Sequence, residues 1–190
     1  KSDPSRETPD LEYHVQPLST DRLGEPLHRY PAITMSVCNL RPDSVGTSHI
    51  TTSETDAQPE IRPNYLSAET DRATAVLSIR QARRIMTAKA LERYAPEELL
   101  PGAAISEDAD LVRTAGDIGT TIFHPVGTAR MGLASNPLAV VDERLRVLGV
   151  NGLRVADASV MPTITSGNTN APSMMIGGKA VGMILKDSRG

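Results

Sequence analysis

The sequence of 190 residues has little of several features that whole classes of protein need. Its single cysteine, Cys38, excludes an internal disulfide and a metal cluster held by several cysteines, and it fits a reducing compartment. A formal net charge of −3 provides no basic field for nucleic acid or acidic lipid. No apolar run approaches the roughly 20 residues of a membrane-spanning helix. We therefore expect no nucleic-acid partner, no membrane span and a cytoplasmic location.

Aromatic side chains are scarce as well, with no tryptophan and one phenylalanine. Aromatic residues supply much of the contact area with which proteins hold their ligands, so this is a low number for an enzyme that binds its substrate unaided. The chain also starts at Lys1 and shows no signal peptide. Both features lead us to expect a piece of a longer protein.

Strand patterns dominate the first third of the sequence. Apolar and polar residues alternate over residues 11–15 and 33–37, which is the period of a half-buried strand. A β-branched run over residues 47–52 predicts a third strand, and the turn residues before it predict a hairpin with the second. Prolines 59 and 63 exclude long regular structure over residues 58–65.

Helical patterns follow in the middle and at the end of the chain. A helix is expected to start at Thr70–Asp71 and a shorter one at Ser106, and the last helix is expected to have Asn170 as its N-cap. Residues 120–123 and 153–157 predict short strands. Because strands come early and no βαβ alternation appears, the sequence predicts an α+β fold, an antiparallel or mixed sheet with helices on one face.

The residues best placed for chemistry lie in the stretch His124–Gly132, which reads HPVGTARMG. Glycine and proline predict a stiff, exposed loop in which an imidazole is available, although a lone histidine is more often structural. The remaining histidines, His14, His28 and His49, have no second ligand at metal-binding spacing in the sequence. We expect them to be structural or surface residues, and we expect no metal site.

A second polar run, Thr165–Pro172, leads into the last helix. Asn168 is either a turn residue beside Gly167 or a hydrogen-bond donor to a substrate oxygen. The helix start is either ordinarily capped or directed at an anion through its free N–H groups. Asp157 either binds a cofactor or caps its own turn, and the residues alone leave these alternatives open.

Taken together, these motifs resemble the glucose–methanol–choline (GMC) family of flavin oxidoreductases. The resemblance is firm from about residue 120 onward and weaker before it. It rests on residues 124–132, 141–142, 149–159, 162–163, 167–172 and 175–177, with earlier matches at residues 40–42, 63–66, 71 and 101–102.

The resemblance implies an FAD cofactor and a small-molecule alcohol as substrate, as in choline dehydrogenase-like members of the family. It implies that His124 takes the alcohol proton while a hydride passes to flavin N5. The second catalytic position of the family is histidine or asparagine, and here it is Asn168, which is expected to hydrogen-bond the substrate oxygen.

The resemblance also assigns residues to the cofactor. Asp157 and Ala158 match a segment that contacts the FAD phosphates and ribityl chain. Asn170 and Ala171 match residues beside the flavin pyrimidine, where a helix N-terminus stabilises negative charge.

One element of the family is missing from the sequence, the Gly-x-Gly-x-x-Gly dinucleotide fingerprint. We therefore expect residues 1–135 to be the substrate-binding domain. Residues 136–190 are expected to complete the FAD-binding domain with a strand and a helix, the N-terminal dinucleotide-binding half being an absent partner. The isolated chain is expected to be inactive. Two alternatives remain open, a non-redox lyase on the same scaffold and a non-catalytic folded fragment or binding module.

Overall fold

The structure is a computed structural model that describes residues 1–22 and 24–188. The chain divides into two compact units, residues 1–44 with 65–119, and residues 45–64 with 120 onward. Among the described residues, no helix has both the length and the apolar character that crossing a membrane requires. The assignment of residues 1–135 to the substrate and 136–190 to the cofactor concerns function, and it stays a prediction.

The first unit is a two-stranded antiparallel sheet with helices. Strands β1 (Leu11–Gln16) and β2 (Thr34–Asn39) pair antiparallel, as the alternation in the sequence predicts for each strand. Helix α1 (Glu69–Met86) lies against β2 and against helix α2 (Asp108–Ile118). A short 3₁₀ helix, Lys89–Tyr94, separates the two helices along the chain. The buried apolar residues of this unit are Leu11, Leu40, Val76 and Leu111.

Asp71 fastens α1 to the chain that follows β2. Its carboxylate accepts hydrogen bonds from Asn39 Nδ2 at 3.1 Å, from the Asp43 amide at 3.0 Å and from the Ser44 amide at 2.8 Å. Burial would raise the pKa of Asp71, but these hydrogen bonds outweigh burial and hold the pKa below 3.8. The sequence predicts a helix start at Thr70–Asp71, and α1 indeed begins at Glu69 with Asp71 in its first turn; its N-cap, Ala68, makes no side-chain hydrogen bond. Asp71 therefore acts mainly in tertiary structure.

The second unit contains strands β3 (Thr47–His49) and β4 (Glu60–Arg62), and the C-terminal helix α3 (Asn170–Asp187). The predicted hairpin of β3 with β2 is wrong, because β3 pairs antiparallel with β4. Gly46, one of the predicted turn residues, lies directly against the backbone of β4 instead. A Cβ added there would stand 2.2 Å from the carbonyl oxygen of Arg62. A close approach of two backbones, and not a turn, explains that glycine. Four residues form the buried core of this unit, namely Val141, Leu145, Val160 and Ala180.

The α+β class with antiparallel pairing is confirmed, but the described residues form two two-stranded sheets in place of one sheet. The strand predicted over residues 120–123 is absent, because Phe123 has a φ of 61°, outside the extended region. The strand predicted over residues 153–157 is reduced to a bridge between Arg154 and Arg146. Isolated bridges of this kind pair backbone N–H and C=O groups in segments where frequent turns prevent a continuous strand.

Candidate active site

The loop that carries His124 is fixed by backbone hydrogen bonds. The amides of Gly127 and Ala129 donate to the carbonyl oxygen of Ser159, at 3.1 and 3.0 Å, and the Met131 amide donates to that of Val160 at 2.9 Å. Ser159 and Val160 belong to a 3₁₀ helix, Ala158–Val160, and Val160 is fully buried in the core. The histidine loop, residues 124–132, is therefore held against the core of the second unit by backbone hydrogen bonds.

His124 itself is half-buried and has one side-chain partner. Its Nδ1 atom lies 2.9 Å from Oγ1 of Thr169, within hydrogen-bonding distance. Thr169 is 6% exposed, so its hydroxyl has little access to water. Phe123, directly before the histidine, has the left-handed φ of 61°, a conformation that costs free energy for a residue with a side chain and is often found at functional sites. The Thr169 hydroxyl thus orients the imidazole, and the residue before the histidine has a strained backbone.

The two loops that carry the sequence motifs meet through Thr169, a residue that no spacing in the sequence distinguishes. Asn168, the predicted partner, immediately precedes it and is exposed, and no hydrogen bond joins Asn168 to His124 among the described residues. The only signal for Thr169 was its position inside the matched polar run. Its hydroxyl could equally have capped the helix.

The start of α3 is arranged differently from the prediction. Thr169, and not Asn170, is the N-cap, and it makes no capping hydrogen bond because its hydroxyl lies at His124. Asn170 and Ala171 are exposed, and their amides have no acceptor among the described residues. The first turn carries no acidic side chain. Two uncapped N–H groups and an exposed carboxamide are donors that suit an electron-rich ligand.

Asp157 and Ala158 directly precede Ser159, whose carbonyl oxygen accepts hydrogen bonds from the histidine loop. Asp157 Oδ1 accepts hydrogen bonds from the Ser159 amide at 2.8 Å and from Ser159 Oγ at 2.5 Å, so this residue caps the 3₁₀ helix. Its second carboxylate oxygen has no hydrogen-bond partner among the described residues, and the residue is exposed. The capping role and a ligand-binding role are therefore compatible.

Comparison with known proteins gives a consistent result. The family model described as GMC oxidoreductase matches residues 42–177. The chain is 37% identical over 186 residues to alcohol dehydrogenase (acceptor) of Pseudomonas putida, covering 98% of this chain and 33% of that protein. It is 38% identical over 187 residues to mitochondrial choline dehydrogenase of Homo sapiens, covering 97% of this chain and 31% of that protein.

Solved structures agree with the sequence relatives. A variant of formate oxidase from Aspergillus oryzae, solved to study FAD modification, superposes with a TM-score of 0.80 at 26% identity, over 96% of this chain and 32% of that one. The chain thus spans about a third of the length of the curated relatives it matches. Since the family model covers more than half of the chain, and relatives at 37–38% identity cover nearly all of it, the chain belongs to the glucose–methanol–choline (GMC) oxidoreductase family.

Proposed function

We propose that this chain is the C-terminal part of an FAD-dependent alcohol oxidoreductase, with His124 as its catalytic base. The observation that carries the proposal is the contact between His124 Nδ1 and Thr169 Oγ1 at the uncapped start of α3. This contact brings together the histidine loop and the polar run before α3, the two motifs of the family. It holds Nδ1 of the imidazole and leaves Nε2 available.

His124 acts as a base only in one tautomer. If Nδ1 carries the proton and donates it to Thr169 Oγ1, the lone pair of Nε2 is free to accept the proton of an alcohol. Nε2 has no hydrogen-bond partner among the described residues, which supports this role. An oriented base typically contributes about 100- to 10,000-fold to the rate of a proton transfer.

Asn168 is proposed to hold the alcohol oxygen. It is exposed and adjacent to Thr169, so a substrate approaching Nε2 of His124 would also come near this carboxamide. A carboxamide donor stabilises the negative charge that grows on the oxygen as its proton leaves, without titrating itself. Proton acceptance and oxygen orientation are thereby divided between two residues.

The donor set at the start of α3 fits FAD. We propose that Asn170 and Ala171 would hold the flavin pyrimidine, and that Asp157 and Ala158 would hold the phosphates and ribityl chain. FAD bound there would supply the acceptor for the hydride that leaves the alcohol carbon. The free amides of α3 and the absence of acidic residues in its first turn favour negative charge at this position.

The rest of the cofactor site is proposed to come from an N-terminal dinucleotide-binding half. Helix α3 exposes large apolar side chains, Met174 by 65%, Met175 by 55% and Val181 by 57%. An apolar helix face of this kind is normally covered by another part of the protein. The share of the relatives' length that the chain leaves uncovered is large enough to supply that cover.

The reaction class is tested by adding an alcohol to the full-length flavoprotein under nitrogen and following flavin absorbance. Choline and a simple primary alcohol are suitable probes, given the names of the relatives. Bleaching of the oxidised flavin band together with formation of one aldehyde per flavin is the expected result. Conversion of substrate without bleaching would point to the lyase, and binding without conversion to a non-catalytic module.

A further inference from the structure

The pairing of β1 with β2 gathers three side chains with metal-ligand atoms on one face of the first unit. Glu12 and Cys38 are direct cross-strand partners, and His14 lies two residues further along β1. Residues two apart on a strand point to the same face, so all three side chains emerge together. Cys38 and His14 are 24 residues apart in the sequence, which is why sequence spacing alone gave no metal-ligand set.

One ligand atom from each of the three residues lies within 4.8 Å of the other two. Cys38 Sγ lies 3.9 Å from Glu12 Oε2 and 4.0 Å from His14 Nε2, and the other carboxylate oxygen, Glu12 Oε1, lies 3.8 Å from His14 Nε2. Zinc bonds to sulfur, nitrogen and oxygen at about 2.0–2.3 Å, which places tetrahedral ligand atoms about 3.3–3.7 Å apart. Side-chain rotation that shortens the longest of these separations by about 1 Å would bring all three ligand atoms onto one ion.

The cluster of Glu12, His14 and Cys38 is open to solvent on one side. Tyr13, between Glu12 and His14, points to the opposite face, where its hydroxyl donates to the Ser78 carbonyl oxygen in α1 at 3.1 Å. The side chains of Glu12 and His14 are 30% and 36% exposed. An ion can therefore enter from the face away from α1, and a fourth position remains for water or another ligand.

We propose that Glu12, His14 and Cys38 form a three-ligand site for a divalent ion of the zinc type. Thiolate, imidazole and carboxylate together suit Zn²⁺, whereas Mg²⁺ and Ca²⁺ require oxygen ligands throughout. Three protein ligands with one open position are the arrangement of an accessible zinc site and not of a closed structural one.

A reactive cysteine is the alternative use of this cluster, and its surroundings disfavour it. Burial, and after it the charge of Glu12, raises the pKa of the Cys38 thiol. Nucleophilic cysteines require a lowered pKa and a cationic neighbour. A bound cation reverses this, because it stabilises the thiolate and offsets the carboxylate charge at the same time.

The test is equilibrium binding of Zn²⁺ to the full-length protein, measured by competition with a chromophoric chelator, with Co²⁺ absorption as a second readout. One ion per chain and a thiolate-to-cobalt charge-transfer band are expected. His14→Gln and Cys38→Ser should each weaken Zn²⁺ binding by more than the roughly 10- to 100-fold caused by losing an outer-sphere partner. The charge-transfer band should vanish in Cys38→Ser.

The matched control is His49→Gln, since His49 is an exposed histidine on β3 outside the cluster. This variant should bind Zn²⁺ as the wild type does. Circular dichroism establishes whether each variant is folded. If His14→Gln does not fold, the conservative Cys38→Ser variant alone tests the proposal. Absence of micromolar Zn²⁺ binding in the wild type, or equal binding by Cys38→Ser and His49→Gln, would overturn the proposal.

Discussion

The Thr169 side chain, at the start of α3, could either cap the helix or contact His124, and it contacts His124. A threonine at an N-cap commonly accepts a hydrogen bond from the helix backbone, which stabilises the helix by about 1 kcal/mol. Here the hydroxyl lies at His124 instead, and two helix amides stay free. The helix start therefore lacks a local contribution to stability, while the imidazole gains a hydrogen-bond partner; under the proposed function the two free amides are donors for the cofactor.

This interpretation makes Thr169 a positioning residue, and Thr169→Val tests it. Valine keeps the shape but removes the acceptor for His124 Nδ1, so the ring loses its preference for the basic tautomer. The loss of one hydrogen bond worth about 1.4 kcal/mol predicts a roughly tenfold slower flavin reduction by the alcohol, with little change in substrate affinity.

Thr169→Ser is the control, because serine retains the hydroxyl and should restore most of the rate. A purely structural role would give a different pattern, in which both variants lose thermal stability and the rate follows the folded fraction. Equal rates in wild type and Thr169→Val would also contradict the positioning role.

At this scale the sequence predicts residue types better than contacts. His124 is identifiable because its glycine and proline neighbours and the surrounding motif restrict it to a loop. The sequence does not identify Thr169 as the partner of His124, because the exposed Asn168 beside it matches the motif equally well. Which of the two contacts the imidazole depends on how the two loops meet. The cluster of Glu12, His14 and Cys38 depends likewise on the register of β1 and β2, which alternation alone does not fix.

At the scale of the elements, Asp71 links a helix to the segment after a strand, and Asp71→Asn measures that link. The new amide would direct a donor at backbone N–H groups that now donate to the carboxylate. Because hydrogen bonds to a charged group contribute about 1.5–3 kcal/mol, the free energy of unfolding should fall by about 2 kcal/mol. Urea denaturation at neutral pH measures this difference.

The effect of pH has a defined sign. The pKa of Asp71 is lower in the folded protein than the ordinary 3.8, so its contribution is complete above about pH 4. It is lost as the pH falls through the lower, folded-state pKa, and the stability gap between wild type and Asp71→Asn should shrink there. Asp117→Asn, at an exposed position on α2, should show no such gap. A gap that is independent of pH would contradict this account.

Long periodic elements were predictable and short ones were not. Helices α1, α2 and α3 and strands β1 and β2 follow from their apolar spacing, to within a few residues at their ends. Residues 120–123 look like a strand by composition, but Phe123 has a left-handed φ of 61°, which a strand does not allow. The partner of β3 was missed because β4, three residues long between two prolines, carries almost no signal of its own.

At the scale of the whole molecule, we propose that the chain supplies one wall of the active site, and its helix α3 exposes large apolar side chains. Its proposed FAD contacts are few, being two free amides, a carboxamide and a carboxylate edge. Binding a dinucleotide needs the phosphate-binding glycine turn as well, and the sequence lacks that fingerprint. We therefore predict that the 190-residue chain alone binds FAD weakly, and that the full-length protein retains it through purification.

Flavin absorbance of the two purified proteins, followed by titration of FAD into the isolated chain, checks this prediction. Stoichiometric binding at micromolar FAD by the isolated chain would contradict it. Circular dichroism of the isolated chain distinguishes weak binding by a folded chain from failure to fold.

The central claim is that one imidazole takes the alcohol proton. Its most direct test is the rate of flavin reduction in the full-length protein under nitrogen, wild type against His124→Ala, with His49→Gln as the exposed-histidine control. The account predicts a loss of about 100- to 10,000-fold for His124→Ala alone, with flavin still bound. A His124→Ala variant that reduces its flavin at the wild-type rate would contradict it.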